Sequence, residues 1–123
     1  IGQRLPIHVT AAGRAILAQY SAAERAAALK RIKYQTYESS AFMTQESVEN
    51  DIQKSAREGW YYNPEHYQSG VAGIAVQFLF CNRRISIELG GPCSRIEWQA
   101  DELVKLLRVS VKRFLQENPA SLN

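Results

Sequence analysis

The clearest alternation of apolar and polar positions lies in two adjoining segments, Gly70 to Phe80 and Ile85 to Gly90, which read as a β-hairpin with unlike faces. If Phe80 lies opposite Ile85 across a loop of Cys81, Asn82, Arg83 and Arg84, alternation puts Val76, Phe78, Phe80, Ile85, Ile87 and Leu89 on one apolar face. The same register puts Gly73, Ala75, Gln77 and Leu79 on the other face, with Gln77 opposite Glu88, Ala75 opposite Gly90, and Ser86 beside them. Small residues around two polar ones make a shallow floor. Such a floor is either wetted surface, the usual fate of one face of an antiparallel sheet, or the base of a small-molecule site.

Helical spacing precedes and follows the hairpin. From His8 to Tyr20, Thr10 is an N-cap ahead of Ala11, Ala15 and Ala18. Gly13 lies inside this helix, where glycine costs about 1 kcal/mol relative to alanine. It is either a point of close packing against a backbone or ligand, or simply tolerated. Ser21 and Glu24 form a capping-box pattern for a second helix reaching Lys30 or Arg31, so two helices meet at Tyr20 and Ser21. Tyr34 to Met43 is polar without periodicity. Thr44 caps a third helix along which Val48, Ile52 and Ala56 recur, with Glu49, Lys54 and Arg57 outside and Gly59 as terminator. Trp60 to Tyr62 read as a strand, and Asn63-Pro64 opens a turn running through Glu65, His66 and Tyr67 to Gly70. From Gln99 to Gln116 an amphipathic helix carries Leu103, Leu106, Leu107, Ser110, Val111 and Phe114 on one side, expected to cover the apolar sheet face. With no repeat or second core, the expected fold is a single α+β domain built on an antiparallel sheet.

Composition narrows the class. A chain of 123 residues, 46% hydrophobic and 22% charged, suits one globular domain. The net charge of +3 is scattered over Lys30, Arg31 and Lys33, Arg83 and Arg84, and Lys112 and Arg113. That pattern is solvated surface; it lacks the basic stripe with interleaved aromatics that nucleic-acid contact by this segment would need. Cys81 and Cys93 lack disulfide-framework or metal-ligand spacing and fit a reducing compartment, so the expected localisation is cytoplasmic. The longest apolar stretch, Val71 to Phe80, contains Gln77 and is too short to span a bilayer, and Ile1 to Ile7 has no signal-peptide architecture, so no membrane partner is expected. An opening at Ile1, without Met, in an apolar extended-looking segment leads us to expect a fragment of a longer protein. His8 and His66 have no metal-ligand partners at a recognised spacing and no nucleophile motif surrounds any Ser or Cys, so neither enzyme, metal nor cofactor is expected. Arg14 reads as a surface residue or an anion contact, and Gly90-Gly91-Pro92 lacks the context of a phosphate loop.

Three blocks, HVTAAGRAILA, EGWYYNPEHYQSGVAGIAV and ISIELGGPCSRI, resemble in order and separation the signature blocks of the effector-binding domain of IclR-type transcriptional regulators. The matching positions include Leu5-Pro6 with His8, Gly13, Gly59, Glu65, Gly70, and Gly91-Pro92 with Ser94-Arg95. The resemblance covers almost the whole chain. It implies a profilin-like or GAF-like α+β fold that binds a small metabolite, usually an organic acid, and signals to an N-terminal winged-helix DNA-binding domain lying outside this chain. It also implies an N-terminally truncated effector domain, lacking the helix and first strands with which the family's domain begins. A sheet short of members exposes edges that recruit partners, and family members are dimers or tetramers.

Carried over by motif position, the family's pocket falls on Leu5, Ala11, Ala12, Asn63, Gly73, Glu88 and Gly90; Gln77 joins them from the hairpin's register. The chain also departs from the family. Members commonly carry a Cys near Gly73 and small hydroxyl residues where this chain has Glu88 and Gly90, and the turn from Cys81 to Arg84 is shorter than usual and has no glycine. An ionised Glu88 on the floor would repel a carboxylate ligand, and burying it unpaired would cost several kcal/mol or force protonation. One reading is therefore an effector with an amine or several hydroxyl donors for Glu88 and Gln77, with an acceptor held by Asn63 and the Ala11 and Ala12 amides. The other is that Glu88 faces solvent or pairs with Arg14 or an upstream residue. A third possibility for the whole domain is a dimerisation module with a vestigial pocket.

Overall fold

Thr10 opens the first helix as expected: its hydroxyl accepts the Gly13 N–H and starts α1 (Ala11–Leu17). The computed structural model describes residues 2, 4–34, 43–65 and 67–119, so expectations for residues 35–42 and for His66 lie outside the described residues. α1 is shorter than the His8 to Tyr20 span at both ends. The Ala18 to Tyr20 segment tightens into a turn, with Gln19 N–H on the Ile16 carbonyl, because Ser21 must be extended to cap α2 (Ala22–Lys30). Ser21 and Glu24 complete the reciprocal capping box there. α3 (Gln45–Glu58) starts at a Thr44–Ser47 box and ends at Gly59, whose φ of 82° suits glycine. Gly13 settles to close packing against backbone: a Cβ there would lie 2.1 Å from the Ile7 carbonyl oxygen.

The sheet is antiparallel with the order β1 (Tyr61–Pro64), β2 (Val71–Phe80), β3 (Arg83–Pro92). Two expectations need correction. Asn63-Pro64 is not a turn but part of β1, paired with Gly73 and Ala72. Pro64 is tolerated because, among the described residues, β1 has a neighbour on one side only; the turn begins instead at Glu65, with φ of 54°. The hairpin is also tighter than expected. Phe80 pairs with Arg83 across Cys81 and Asn82, both at positive φ, 49° and 59°, as a two-residue turn with strand-matched twist requires. A slip of two residues preserves faces and changes partners. Gln77 therefore faces Ser86, Glu88 faces Ala75, and Gly73 faces Gly90.

After β3 the chain forms α4 (Cys93–Trp98), too short to show a period in the sequence, and α5 (Ala100–Glu117). Both lie on the apolar sheet face, where Ala72, Ile74 and Val76 pack with Ile96, Val104 and Leu107. Phe114 meets the Phe78 and Phe80 rings edge-on, with centroids 6.0 and 4.8 Å away. Leu106, expected on the inner side, is 55% exposed, and Ser110 is also exposed. On the other face α1 lies against the sheet through small side chains, Ala11 and Ala15 on Tyr61 and Ala75. Behind it Val9, Leu17, Leu29, Met43, Val48 and Ile52 form a second apolar cluster among the helices. Arg25 grips Glu49 with two bonds of 2.7 and 2.8 Å and ties α2 to α3. Among the described residues no helix is long and apolar enough to cross a membrane.

Candidate functional site

Where α1 begins over the sheet, a cavity of about 270 Å³ opens, walled by Leu5, Thr10, Asn63, Tyr67, Gln68, Val71, Ala72, Gly73, Glu88 and Gly90. Sheet register explains its floor. Asn63 lies opposite Gly73, and Gly73 opposite Gly90, so this rung carries one side chain across three strands. On the next rung Glu88 lies opposite Ala75 and leans onto Gly73, where an added Cβ would stand 1.9 Å from its Oε1. Gly73 thus makes the space that the Glu88 carboxylate occupies.

Glu88 Oε2 accepts the Ala12 N–H at 2.9 Å, and Ser86 Oγ donates to the Ala12 carbonyl at 2.9 Å, so β3 grips the first turn of α1 at two points. Burial pushes the Glu88 carboxyl above its ordinary pKa, and the Ala12 N–H works in the opposite direction by favouring the charged form. Among the described residues Oε1 has no hydrogen-bond partner. Asn63 Nδ2 donates to the Val9 carbonyl, which fixes the orientation of its amide, and its Oδ1 is buried without a hydrogen-bond partner. Two acceptor oxygens thus lie at the floor without a donor among the described residues: Glu88 Oε1, over Gly73, and Asn63 Oδ1, buried beneath the surface.

Of the residues expected from sequence, Leu5, Asn63, Gly73, Glu88 and Gly90 line this cavity. The other three do not. Ala11 is fully buried in the contact between α1 and the sheet. The Ala12 amide is committed to Glu88 and so is not free to hold a ligand acceptor. Gln77 is exposed away from the cavity, its Oε1 reached by the Tyr61 hydroxyl at 3.4 Å, because the two-residue slip carries it up the hairpin from Glu88. Glu88 neither faces open solvent nor pairs with Arg14. Nor is Arg14 a surface residue: it is 3% exposed, with Nε on the His8 carbonyl at 2.9 Å and Nη1 on Asp51 at 3.3 Å. Sequence reasoning missed Thr10, Tyr67, Gln68, Val71 and Ala72 as wall residues; Thr10 was legible as a cap, and the others depend on how the turn after β1 folds back. Among the described residues no group of three His, Cys, Asp or Glu side chains is placed to hold a metal ion.

A family model described as bacterial transcriptional regulator IclR C-terminal matches residues 1–114. The HTH-type transcriptional regulator XynR of Escherichia coli K12 is 30% identical over 76 residues, covering 62% of this chain and 30% of that protein. The acetate operon repressor of Salmonella typhimurium is 26% identical over 98 residues, covering 78% and 36%. The chain thus spans about a third of the length of these curated relatives. Among solved structures, the inducer-binding domain of the PobR transcription factor from Acinetobacter, a double mutant in complex with 3-hydroxybenzoic acid, shares the fold. Its TM-score is 0.79 at 19% identity, over 93% of this chain and 67% of that one.

Proposed function

The chain belongs to the bacterial transcriptional regulator IclR C-terminal family, a family of regulator domains and not of enzymes, and from that premise we propose that it senses a small metabolite in the cavity under α1. In this reading the bound effector controls DNA binding by a longer protein, through a winged-helix domain outside residues 1–123. The regulator works in the cytoplasm as a dimer or tetramer. Leu5, Asn63, Gly73, Glu88 and Gly90 form the effector site, with Thr10 at its edge.

The observation that carries the reading is the pair of acceptors on the floor, Asn63 Oδ1, buried without a partner, and Glu88 Oε1 above Gly73. A buried acceptor left without a donor costs about 1–3 kcal/mol, the case of Asn63 Oδ1, and a ligand N–H or O–H beside these oxygens supplies the donor. A simple monoanion meets the Glu88 charge instead. The effector class is therefore an amine- or hydroxyl-bearing metabolite, small enough for about 270 Å³. That the PobR domain was solved with 3-hydroxybenzoic acid supports small-molecule binding by a domain of this fold.

The test is the melting temperature against panels of amines, polyols, amino acids and plain carboxylates, since a ligand at a hundred times its dissociation constant stabilises by about 2.7 kcal/mol. Shifts confined to donor-bearing compounds, converted by Glu88→Ser into a preference for carboxylates, are the expected result. An unchanged preference in Glu88→Ser overturns the role of Glu88. The competing reading, an assembly module with a vestigial pocket, draws on Glu88 filling the space over Gly73 and on the exposure of Trp98 (88%) and Val109 (64%); it is favoured if no panel shifts the transition.

A further inference from the structure

A second cleft lies between α3 and β1. Its volume is about 310 Å³. Two regular stripes build it: Asp51, Lys54, Ser55 and Glu58, at helical spacing along α3, and Trp60, Tyr62 and Pro64, alternate positions entering and along β1. Arg14 closes one end. Its guanidinium is almost completely buried, yet Asp51, the only carboxylate in contact with it among the described residues, is 46% exposed and touches it at 3.3 Å. Nη2 is buried with no hydrogen-bond partner. Burial without adequate pairing also draws the Arg14 pKa down. A cation so placed is under-compensated, and a carboxylate joining Asp51 would complete it.

The opposite end carries the opposite charge. Glu58 is two turns from Asp51 along α3, about 10 Å by the helical rise, and among the described residues it makes no ion pair. Trp60 and Tyr62, which also pack on the apolar sheet cluster, line the same cleft. We propose that this cleft is a second ligand site, for a linear zwitterion such as an ω-amino carboxylate, whose carboxylate binds at Arg14, whose methylene chain lies on Trp60 and Tyr62, and whose ammonium reaches Glu58. Lys54, between the ends, adds a second cation for the carboxylate. Glycine, with its two charges adjacent, cannot reach both ends. The site shares no lining residue with the cavity under α1 and does not depend on the effector reading.

The chain has two tryptophans. Trp98 is 88% exposed, so Trp98→Phe leaves Trp60 as a reporter inside the cleft. In that variant, 6-aminohexanoate should give a saturable change in Trp60 emission that hexanoate, hexylamine and glycine do not match. Glu58→Gln, on an exposed position that folding does not need, should raise the dissociation constant roughly tenfold or more. Arg14→Lys should weaken binding further, but it alters a buried residue, so Glu58→Gln decides. The proposal is overturned by no saturable change up to about 10 mM, well above a millimolar dissociation constant. Equal responses to hexanoate or hexylamine, or Glu58→Gln binding as tightly as its parent, overturn it as well.

Discussion

Replacing Gly73 with alanine should destabilise the domain only while Glu88 is present. An added Cβ would stand 1.9 Å from Glu88 Oε1, 2.9 Å from Cδ and 3.4 Å from Cγ. The carboxylate must leave, and with it the 2.9 Å bond to the Ala12 N–H. Hydrogen bonds to a charged group contribute about 1.5–3 kcal/mol. Against that loss, alanine restricts the unfolded chain relative to glycine and contributes about 0.5–1 kcal/mol. The net expectation for Gly73→Ala is a loss of about 1–2 kcal/mol. In a Glu88→Ser background the clash is gone and only the alanine gain remains, so the same substitution should stabilise by about 0.5–1 kcal/mol. Urea unfolding of the parent, both single variants and the double variant measures this as a coupling of about 2 kcal/mol. Equal effects of Gly73→Ala in the two backgrounds, in sign and size, would refute the reasoning: Glu88 would not be resting on Gly73.

Gly13→Ala meets backbone, the Ile7 carbonyl at 2.1 Å, which cannot swing aside as a side chain can, so about 3 kcal/mol or more should be lost and the thermal transition should drop or vanish. Gly90→Ala meets nothing nearer than the Ala72 carbonyl oxygen at 3.8 Å; stability should stay within about 0.5 kcal/mol of the parent, while the added methyl, inside the cavity, reduces the thermal shift produced by an effector. Glu88 has its folded pKa raised, chiefly by burial, so between its unfolded and folded values the folded state holds the extra proton and stability falls as pH rises. Glu88→Gln should remove that downward slope, read by urea unfolding from about pH 4 to 7. Glu49, held below its ordinary pKa by Arg25, behaves oppositely: its contribution is lost as pH falls through the depressed value, and Glu49→Gln should flatten that acid limb. Ser21→Ala removes the reciprocal cap of α2 and should cost about 1 kcal/mol by the same unfolding assay.

What could be read from sequence was what local rules determine. The caps at Thr10, Ser21 and Thr44 and the stop at Gly59 each follow from one side chain and its neighbours, and all four stand in the structure. The face assignment of the hairpin survived a wrong register because alternation has a period of two and the error was also two. Partners do not follow from alternation: the expected pairing of Gln77 with Glu88 fails because Cys81-Asn82, without a glycine, does not announce a two-residue turn with both residues at positive φ. The burial of Arg14 escapes the sequence for a different reason. A lone arginine on an alanine-rich helix gives no local sign of burial; its place is set by α3 packing across α1 and by the His8 carbonyl, both tertiary facts.

Glu88 shows why charge alone was an insufficient guide. Weighed in the sequence as a choice between a pocket floor and a solvent-facing or ion-paired residue, it keeps a place on the cavity and adds a second role: one oxygen holds the first turn of α1 while the other stays on the cavity. The adjacent acceptor, Asn63, holds the segment just before that turn through the Val9 carbonyl. In the proposed reading a donor bound between them touches the two side chains that fix the start of α1 to the sheet. Effector chemistry and helix position are then coupled by construction, because a ligand that draws the Glu88 carboxylate towards itself competes with the Ala12 N–H. The size of that coupling is bounded by the bond at stake, about 1.5–3 kcal/mol, which corresponds to roughly 10- to 150-fold in an equilibrium constant.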